Sequence, residues 1–222
     1  MLRQAARIAW KDLRIELRSR EIIYTMTFFG GLLAVVNSFV FPSKSELIPF
    51  AVPGMLWVSM AFAGTIGLGR AFDRERENDT MRALLLAPIP RLSVFLGKAI
   101  AIALLMLAVA LVVAPMLSLL LEANLFGDPL PFLLSLLLGA IGFAITGSVF
   151  SAALIKVRSR DVLLPVILYP LLIPLFVAGT SVTAGLLAGN HEKVWYWMGF
   201  LGIYDAAFLV VSLWIFEAMV IE

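Results

Sequence analysis

Few side chains in this sequence could carry out chemistry by themselves. Its 222 residues contain no cysteine and a single histidine, so neither thiol chemistry nor a metal site built from this chain alone is expected. The nearest approach to a phosphate-binding loop is Gly97-Lys98, which lacks the leading glycine of that motif and is followed by Ala99 instead of serine or threonine. We therefore expect no nucleotide hydrolysis and no enzymatic activity, and any work must be driven by a partner.

The single histidine, His191, is followed closely by Trp195 and Trp197. An imidazole can bind haem iron, so one interpretation is a cofactor-binding cluster that contacts haem. The alternative is a loop histidine beside the aromatic belt that membrane proteins place at the lipid–water interface. The residue types leave both interpretations open.

Asp205 stands inside an apolar run late in the sequence. A carboxylate within a membrane is costly, which makes a functional role the default hypothesis for it. The alternative is a structural carboxyl that is hydrogen-bonded to Tyr204 or to a serine of a neighbouring helix. This intramembrane polar residue is therefore a second candidate, and its role stays open.

Membrane-spanning helices must position these residues. Hydrophobic residues make up 62% of the sequence and charged residues 14%, against roughly 25% charged residues in a soluble domain. Apolar runs of about 20 residues recur, which is the length needed to cross a bilayer. We predict an all-α integral membrane protein, with a single domain over residues 1–222 and six transmembrane helices. The predicted spans are residues 22–40, 49–69, 99–121, 132–155, 162–178 and 199–220.

Residues 1–21 have the pattern of an amphipathic helix that lies in the membrane interface. The predicted apolar stripe recurs at steps of three and four residues and runs beside a stripe of arginine and lysine. No compact apolar core followed by a small-residue cleavage site is present, so a cleavable signal is not expected. The predicted apolar stripe consists of Leu2, Ala6, Ala9, Trp10, Leu13 and Leu17.

Residues 179–198 are too apolar for a free loop, yet they are interrupted by Gly185, Gly189 and Asn190. We predict a re-entrant outer hairpin before the last span, since non-helical backbone at membrane depth needs protein or a cavity around it. The fifth span, which precedes this segment, contains three prolines. Each proline removes a backbone donor and lets the helix bend.

The distribution of basic residues predicts the orientation. Six lysines and arginines fall in residues 1–21, six in residues 70–98 and three in residues 156–161. The remaining two, Lys44 and Lys193, fall on the other side. Because cytosolic loops carry the excess of lysine and arginine, both termini are predicted to lie in the cytosol.

Residues 70–98 form a long charged segment between the second and third spans, which we call the coupling loop. Within it, Asn78-Asp79 can cap the start of a short helix that Pro88 ends. An apolar helix face can enter a groove on a partner, and charges at the rim help to orient the contact. The alternative is a solvated loop that only fixes topology. The residues predicted to make the contact are Asp79, Met81, Leu84, Leu85 and Pro88, with Arg74 and Arg76 at the rim.

The order of these segments resembles the type 2 ABC exporter permeases. Within that class the sequence is similar to CcmB, the haem exporter B family of cytochrome c maturation, over essentially the whole chain. Three stretches carry this similarity: ARIAWKDLRIELRSRE at the start, then FDRERENDTMRALLLAPIPR and LGK in the coupling loop. The chain departs from many relatives with Asp79-Thr80 where they have Asp-Gly, and with Ala87-Pro88 where Ser-Pro is commoner.

The resemblance implies a set of partners and a task. It implies a cytosolic ABC ATPase subunit, a haem-handling membrane subunit, a small single-span subunit and a periplasmic haem chaperone, with no nucleic acid. The task would be haem export or delivery, or release of the haem-loaded chaperone, at the bacterial inner membrane. ATP would bind the partner, and haem would be handled and not held as a resident cofactor. The alternatives are a permease for a lipid, polysaccharide or drug, or a scaffold that only relays ATPase motion.

Overall fold

Seven α-helices make up the regular structure in the described part of the chain. The computed structural model describes residues 2–40, 47–77, 90–154, 157 and 159–219, with the side chains of 72–77, 91 and 216–219 left out. The prediction of an all-α fold is confirmed. The helices are α1 (Leu2–Ser19), α2 (Glu21–Val40), α3 (Ile48–Glu77), α4 (Arg91–Leu120), α5 (Pro129–Ala153), α6 (Arg160–Leu187) and α7 (His191–Met219).

Helices α2 to α7 are long and apolar enough to cross a membrane. The predicted six spans are therefore confirmed, and the chain is a multi-pass membrane protein. The bounds differ at the coupling loop, because α3 continues to Glu77 and α4 begins at Arg91. Residues 70–77 and 91–98 are thus helical and not loop. Arginine, lysine and glutamate are good helix formers, so a helix can leave the apolar bundle without a break.

The segment predicted as a separate outer hairpin is the junction of two long helices. Helical structure continues through residues 178–179 in α6 and through residues 198–199 in α7. Between the two helices, Gly189 adopts a φ of +66°, and the amide of Asn190 donates to the carbonyl of Gly185 at 2.8 Å. This closure is a Schellman motif, which favours glycine because of its positive φ. The Asn190 side chain then caps α7 by accepting from the Lys193 amide at 3.0 Å.

The three prolines of the fifth span, Pro165, Pro170 and Pro174, all lie inside α6. The helix is nevertheless assigned without interruption over 28 residues, or roughly 42 Å at 1.5 Å per residue. That length exceeds the roughly 30 Å of bilayer hydrocarbon. The prolines lack the N–H groups that would donate to the helix backbone. Packing against neighbouring helices compensates for these lost hydrogen bonds and keeps α6 helical.

Helix α1 packs against the start of α4 through a face that overlaps the predicted stripe only in part. Ala5, Ile8 and Ala9 are buried, and a Cβ at Gly97 would lie 2.8 Å from the Ile8 Cβ. Ile8 had no place in the predicted stripe. Of the residues in that stripe, Ala9 is buried and Leu13 is half-buried, whereas Leu2, Ala6, Trp10 and Leu17 are exposed. An apolar residue can face protein or lipid, so composition alone does not separate the two faces.

A buried carboxylate joins α1 to α2. Glu16 is 2% exposed, and its Oε1 accepts hydrogen bonds from the amides of Ile22 at 2.6 Å and Ile23 at 3.0 Å. These amides belong to the first turn of α2, where backbone donors have no helical partner and negative charge is favoured. Arg20 between the helices adopts a φ of 59°. The carboxylate therefore fixes the angle at which α1 turns into the first span.

Small residues bring three spans together around one indole ring. Trp57 of α3 is 1% exposed, and its Nε1 donates to Thr183 Oγ1 of α6 at 3.0 Å. Gly139 of α5 and Gly179 of α6 lie against the ring so closely that a Cβ at either position would overlap it. Small residues allow such close helix packing in a membrane.

We expect Gly139→Ala and Gly179→Ala to destabilise the protein, since the added methyl must displace the Trp57 ring. Overpacking of this kind lowers the free energy of unfolding by about 1–3 kcal/mol. Thermal or denaturant unfolding of the detergent-purified protein measures the change. Gly202→Ala is the matched control, because nothing lies within 4 Å of a Cβ there. Equal losses in all three variants would contradict this packing.

Candidate functional site

The α3 backbone between Leu68 and Ala71 receives buried cationic side chains from two other helices. These residues lie where α3 leaves the apolar bundle and continues into the coupling loop. The cations are Lys98, near the start of α4, and Arg160, the first residue of α6. We call the two cations and the α3 carbonyls that they contact the polar clamp.

Arg160 is the more completely buried of the two, at 0% exposed. Its Nη2 donates to the carbonyl oxygens of Leu68 at 3.3 Å and Gly69 at 3.2 Å. A carbonyl oxygen has two lone pairs, so it can accept from a side chain in addition to its helical partner. Because a buried charge is costly without hydrogen bonds, Arg160 holds the start of α6 to α3.

Lys98 joins three helices. It is 5% exposed, and its Nζ donates to the Ala71 carbonyl of α3 at 3.4 Å. The same Nζ lies 3.3 Å from Asp12 Oδ2 of α1, and the other oxygen of that carboxylate lies 2.9 Å from Lys11 Nζ. The lysine therefore connects the amphipathic helix to the point where the coupling loop begins.

A third contact with this stretch of α3 comes from α2. Arg70 Nη1 lies 2.7 Å from Glu21 Oε1, with both side chains about half exposed. Exposed ion pairs contribute roughly 0–1 kcal/mol. The pair helps to position α2 against α3 but adds little stability. The buried cations make the stronger contacts with this stretch of α3.

The polar clamp lies at both ends of the coupling loop. The loop leaves through α3, just after Leu68–Ala71, and returns through α4, which carries Lys98. A displacement of the loop would therefore have to move α1, α4 and α6 or break buried hydrogen bonds. Hydrogen bonds to charged groups are worth about 1.5–3 kcal/mol each, so breaking the clamp would cost several kcal/mol.

The predicted partner contacts themselves are only partly described. Arg74 and Arg76 lie on the α3 extension, in helical backbone. The other five residues of that prediction lie outside the described residues, so their placement stays a prediction. They are Asp79, Met81, Leu84, Leu85 and Pro88.

Reasoning from the sequence missed the polar clamp. Arg160 entered only the count of basic residues that predicted topology, Lys98 was considered only as part of an incomplete phosphate-binding motif, and Asp12 was not considered. One signal could have found them: Lys98 and Arg160 stand at the edges of apolar runs, where a charge must either reach water or find a partner. Which partner it finds depends on helices that are far apart in the sequence.

Asp205 lies in the bundle core without the partner that the structural alternative requires. Its side chain is buried, and neither carboxylate oxygen has a hydrogen-bond partner among the described residues. The Tyr204 hydroxyl donates instead to the Leu171 carbonyl at 3.1 Å and lies 3.4 Å from Thr146 Oγ1. Gly142 of α5 provides the space, because a Cβ there would overlap Asp205 Oδ1. Such a group in a folded protein requires a specific explanation.

The predicted haem contacts separate into two groups. His191 is the first residue of α7, and its Nε2 lies 3.9 Å from Asp128 Oδ2. Trp195 is one helical turn further on the same face and is exposed. Trp197 points elsewhere, with its ring 5.5 Å from Tyr196 and 5.6 Å from that of Phe200, between centroids. The structure thus places His191 and Trp195 on one face of α7, whereas Trp197 packs against other aromatic rings.

A cavity of about 620 Å³ opens near His191, at the end of the bundle away from the clamp. It lies where the α4–α5 connection meets the α6–α7 turn and the start of α3. No group of three potential metal ligands was found among the residues that the structure describes. The cavity is lined by Ile48, Pro49, Glu122, Ala123, Asn124, Gly127, Asp128, Leu186, Leu187 and Gly189.

Comparison with known proteins gives consistent matches. The sequence model of the family described as CcmB protein matches residues 3–221. Heme exporter protein B of Pseudomonas aeruginosa is 28% identical over 172 residues, or 78% of this chain and 76% of the relative. The protein of that name from Haemophilus influenzae is 27% identical over 79% and 80% of the two chains. The one from Paracoccus denitrificans is 29% identical over 81% and 82%.

We expect Arg160→Met to lower the free energy of unfolding by about 2–3 kcal/mol, since it removes hydrogen bonds that a charged donor makes to α3. Arg160→Lys should lose less, because it keeps the charge but not the planar fork of donors. Unfolding of the purified protein measures both. The control is Arg3→Met, at an exposed arginine of α1. Equal free energies of unfolding for Arg160→Met and Arg3→Met would show that the clamp does not stabilise the fold.

Proposed function

The chain belongs to the CcmB protein family, and from this premise we propose that it is the membrane permease subunit of a haem export system for cytochrome c maturation. The observation that carries the proposal is the family match over residues 3–221, on a chain with six membrane-crossing helices. Several relatives are named Heme exporter protein B. The task is haem export or delivery, or release of the haem-loaded chaperone, in the bacterial inner membrane.

We propose that a separate ABC ATPase subunit in the cytosol drives this permease. The sequence contains no phosphate-binding loop, so force must enter through a contact with a partner. The coupling loop is the best candidate for this contact, because the polar clamp lies at both of its ends and ties it to the bundle. A push on the loop would reach α6 through Arg160 and α1 through Lys98 and Asp12. The excess of lysine and arginine at this end supports a cytosolic position, with both termini inside.

The wider partner set also forms part of the proposal. A haem-handling membrane subunit, a small single-span subunit and a periplasmic haem chaperone would complete the system. Affinity purification of the tagged chain from native membranes, followed by identification of the co-purified subunits, tests the set. We expect the ATPase and the haem-handling subunit together. Recovery with enzymes of polysaccharide or lipid assembly instead would overturn the haem assignment.

At the opposite end of the bundle, we propose that His191 and Trp195 contact haem or the haem-bearing partner. They share an exposed face beside the cavity that Asp128 lines. A histidine nitrogen can ligate haem iron. Trp197 acts through packing in this proposal, since its ring contacts Tyr196 and Phe200.

For the coupling loop, we expect Leu84→Asp or Leu85→Asp to release the ATPase while the permease inserts normally. An added carboxylate would disfavour docking of an apolar helix face into a groove. Co-purification of the ATPase and ATP turnover of the membranes measure the loss. Leu47→Asp is the matched control, at an exposed leucine of the opposite end. A Leu84→Asp complex that retains the ATPase with full activity would defeat this assignment.

For the outer end, we expect His191→Ala and Trp195→Ala to reduce haem transfer to the chaperone and leave the subunit composition unchanged. The first variant removes the proposed iron ligand and the second removes an exposed ring, so both should weaken haem contact. Both residues are exposed, so the packing of the core is unchanged. Haem absorbance of the purified chaperone measures transfer. Trp214→Ala is the control, because that tryptophan is also exposed on α7, at 76%, but distant in sequence. Unchanged transfer in both test variants would rule out the contact.

A further inference from the structure

Helix α1 presents three distinct faces, and the described part of the protein covers one of them. Ala5, Ile8 and Ala9 pack against α4, and Glu16 and Asp12 anchor the same side to α2 and α4. This face is held by buried contacts, so the directions of the other two faces are set by the fold.

The second face is apolar, and no residue that the structure describes covers it. Leu2 is 76% exposed, Trp10 64% and Leu17 60%. These residues repeat at helical spacing along one side of α1. Exposed large apolar residues in a continuous line mark a surface that contacts a membrane or another protein.

The third face adjoins the apolar one and is strongly basic. A groove of about 340 Å³ runs along it. In the described part of the chain, Arg7, Arg14 and Arg18 have no ion-pair partner, whereas Lys11 is paired with Asp12. The residues that line the groove are Arg7, Trp10, Lys11, Arg14, Ile15 and Arg18.

We propose that this groove binds the headgroup phosphate of an anionic phospholipid whose acyl chains lie along the apolar face. Trp10 belongs to both surfaces, and a tryptophan at such a boundary suits the level of the lipid headgroups. Guanidinium groups hold phosphate oxygens through pairs of N–H donors. A basic face directly beside an apolar one is the arrangement that anionic membranes bind.

The lipid site is connected to the polar clamp through one carboxylate. Asp12 is shared between Lys11, which lines the groove, and Lys98, which contacts the Ala71 carbonyl. A phosphate that attracts Lys11 would leave more of the Asp12 charge for Lys98. Anionic lipid therefore strengthens the hold of α1 on the base of the coupling loop. This inference rests on the fold and not on the proposed function.

The test titrates the full chain, purified in a neutral detergent, with phosphatidylglycerol, phosphatidylcholine or inorganic phosphate, and follows binding by native mass spectrometry. We expect phosphatidylglycerol to bind at least tenfold more tightly than phosphatidylcholine. Binding should weaken as salt is raised, since exposed charges are screened. Equal binding of the two lipids would overturn the proposal. Inorganic phosphate that competes fully with phosphatidylglycerol at equal concentration would overturn the assignment to a lipid.

The combined variant Arg7→Gln, Arg14→Gln and Arg18→Gln should lose at least tenfold in phosphatidylglycerol affinity. Its matched control is the combination of Arg3→Gln, Arg20→Gln and Lys193→Gln, which removes the same number of exposed cations outside the groove. Equal losses would show general charge attraction and overturn the site. Trp10→Ala, which keeps every charge, should also weaken the binding, and an unchanged affinity would remove the ring from the site. Co-purification of the ATPase is scored separately, so failure of the lipid site leaves the proposed function standing.

Discussion

Two cations buried against the backbone of one helix tie the architecture of this protein together. Arg160 and Lys98 reach the carbonyls of α3 where that helix leaves the bundle. In a membrane protein a buried charge must have hydrogen-bond partners nearby, and backbone carbonyls with a spare lone pair can supply them. The consequence is that α1, α4 and α6 all meet at the base of the coupling loop. The loop is therefore anchored at a junction of buried contacts.

Away from the clamp, glycines leave space in the bundle for two large or polar side chains. Trp57 fits where Gly139 and Gly179 leave room, and its one polar atom finds Thr183. Asp205 likewise fills space beside Gly142, but its carboxylate lacks a partner among the described residues. The contrast matters because the tryptophan is explained by packing, whereas the aspartate is not. A buried carboxylate of this kind requires a specific explanation that packing alone does not supply.

Helix α1 unites the proposals at the charged end. On its covered face, Asp12 contacts α4 and Glu16 contacts α2. Its other two faces form the proposed binding site for anionic lipid. In these proposals, the membrane surface and the coupling loop act on the same junction. Since an interfacial helix is held by lipid on one side and protein on the other, its position is sensitive to both.

The sequence by itself determined the number of spans, the all-helical fold and the family. Lipid offers no hydrogen bonds to the backbone, so long apolar runs such as the one in α4 can only be helices. The tertiary structure decided which apolar residues face protein, since Ile8 and Trp10 have similar character but opposite exposure. It also decided that Arg160 reaches α3, that Asp205 does not reach Tyr204, and that Trp197 is separated from His191. Such contacts join residues far apart in sequence or depend on the rotation of a helix, which only the packing of the whole bundle sets.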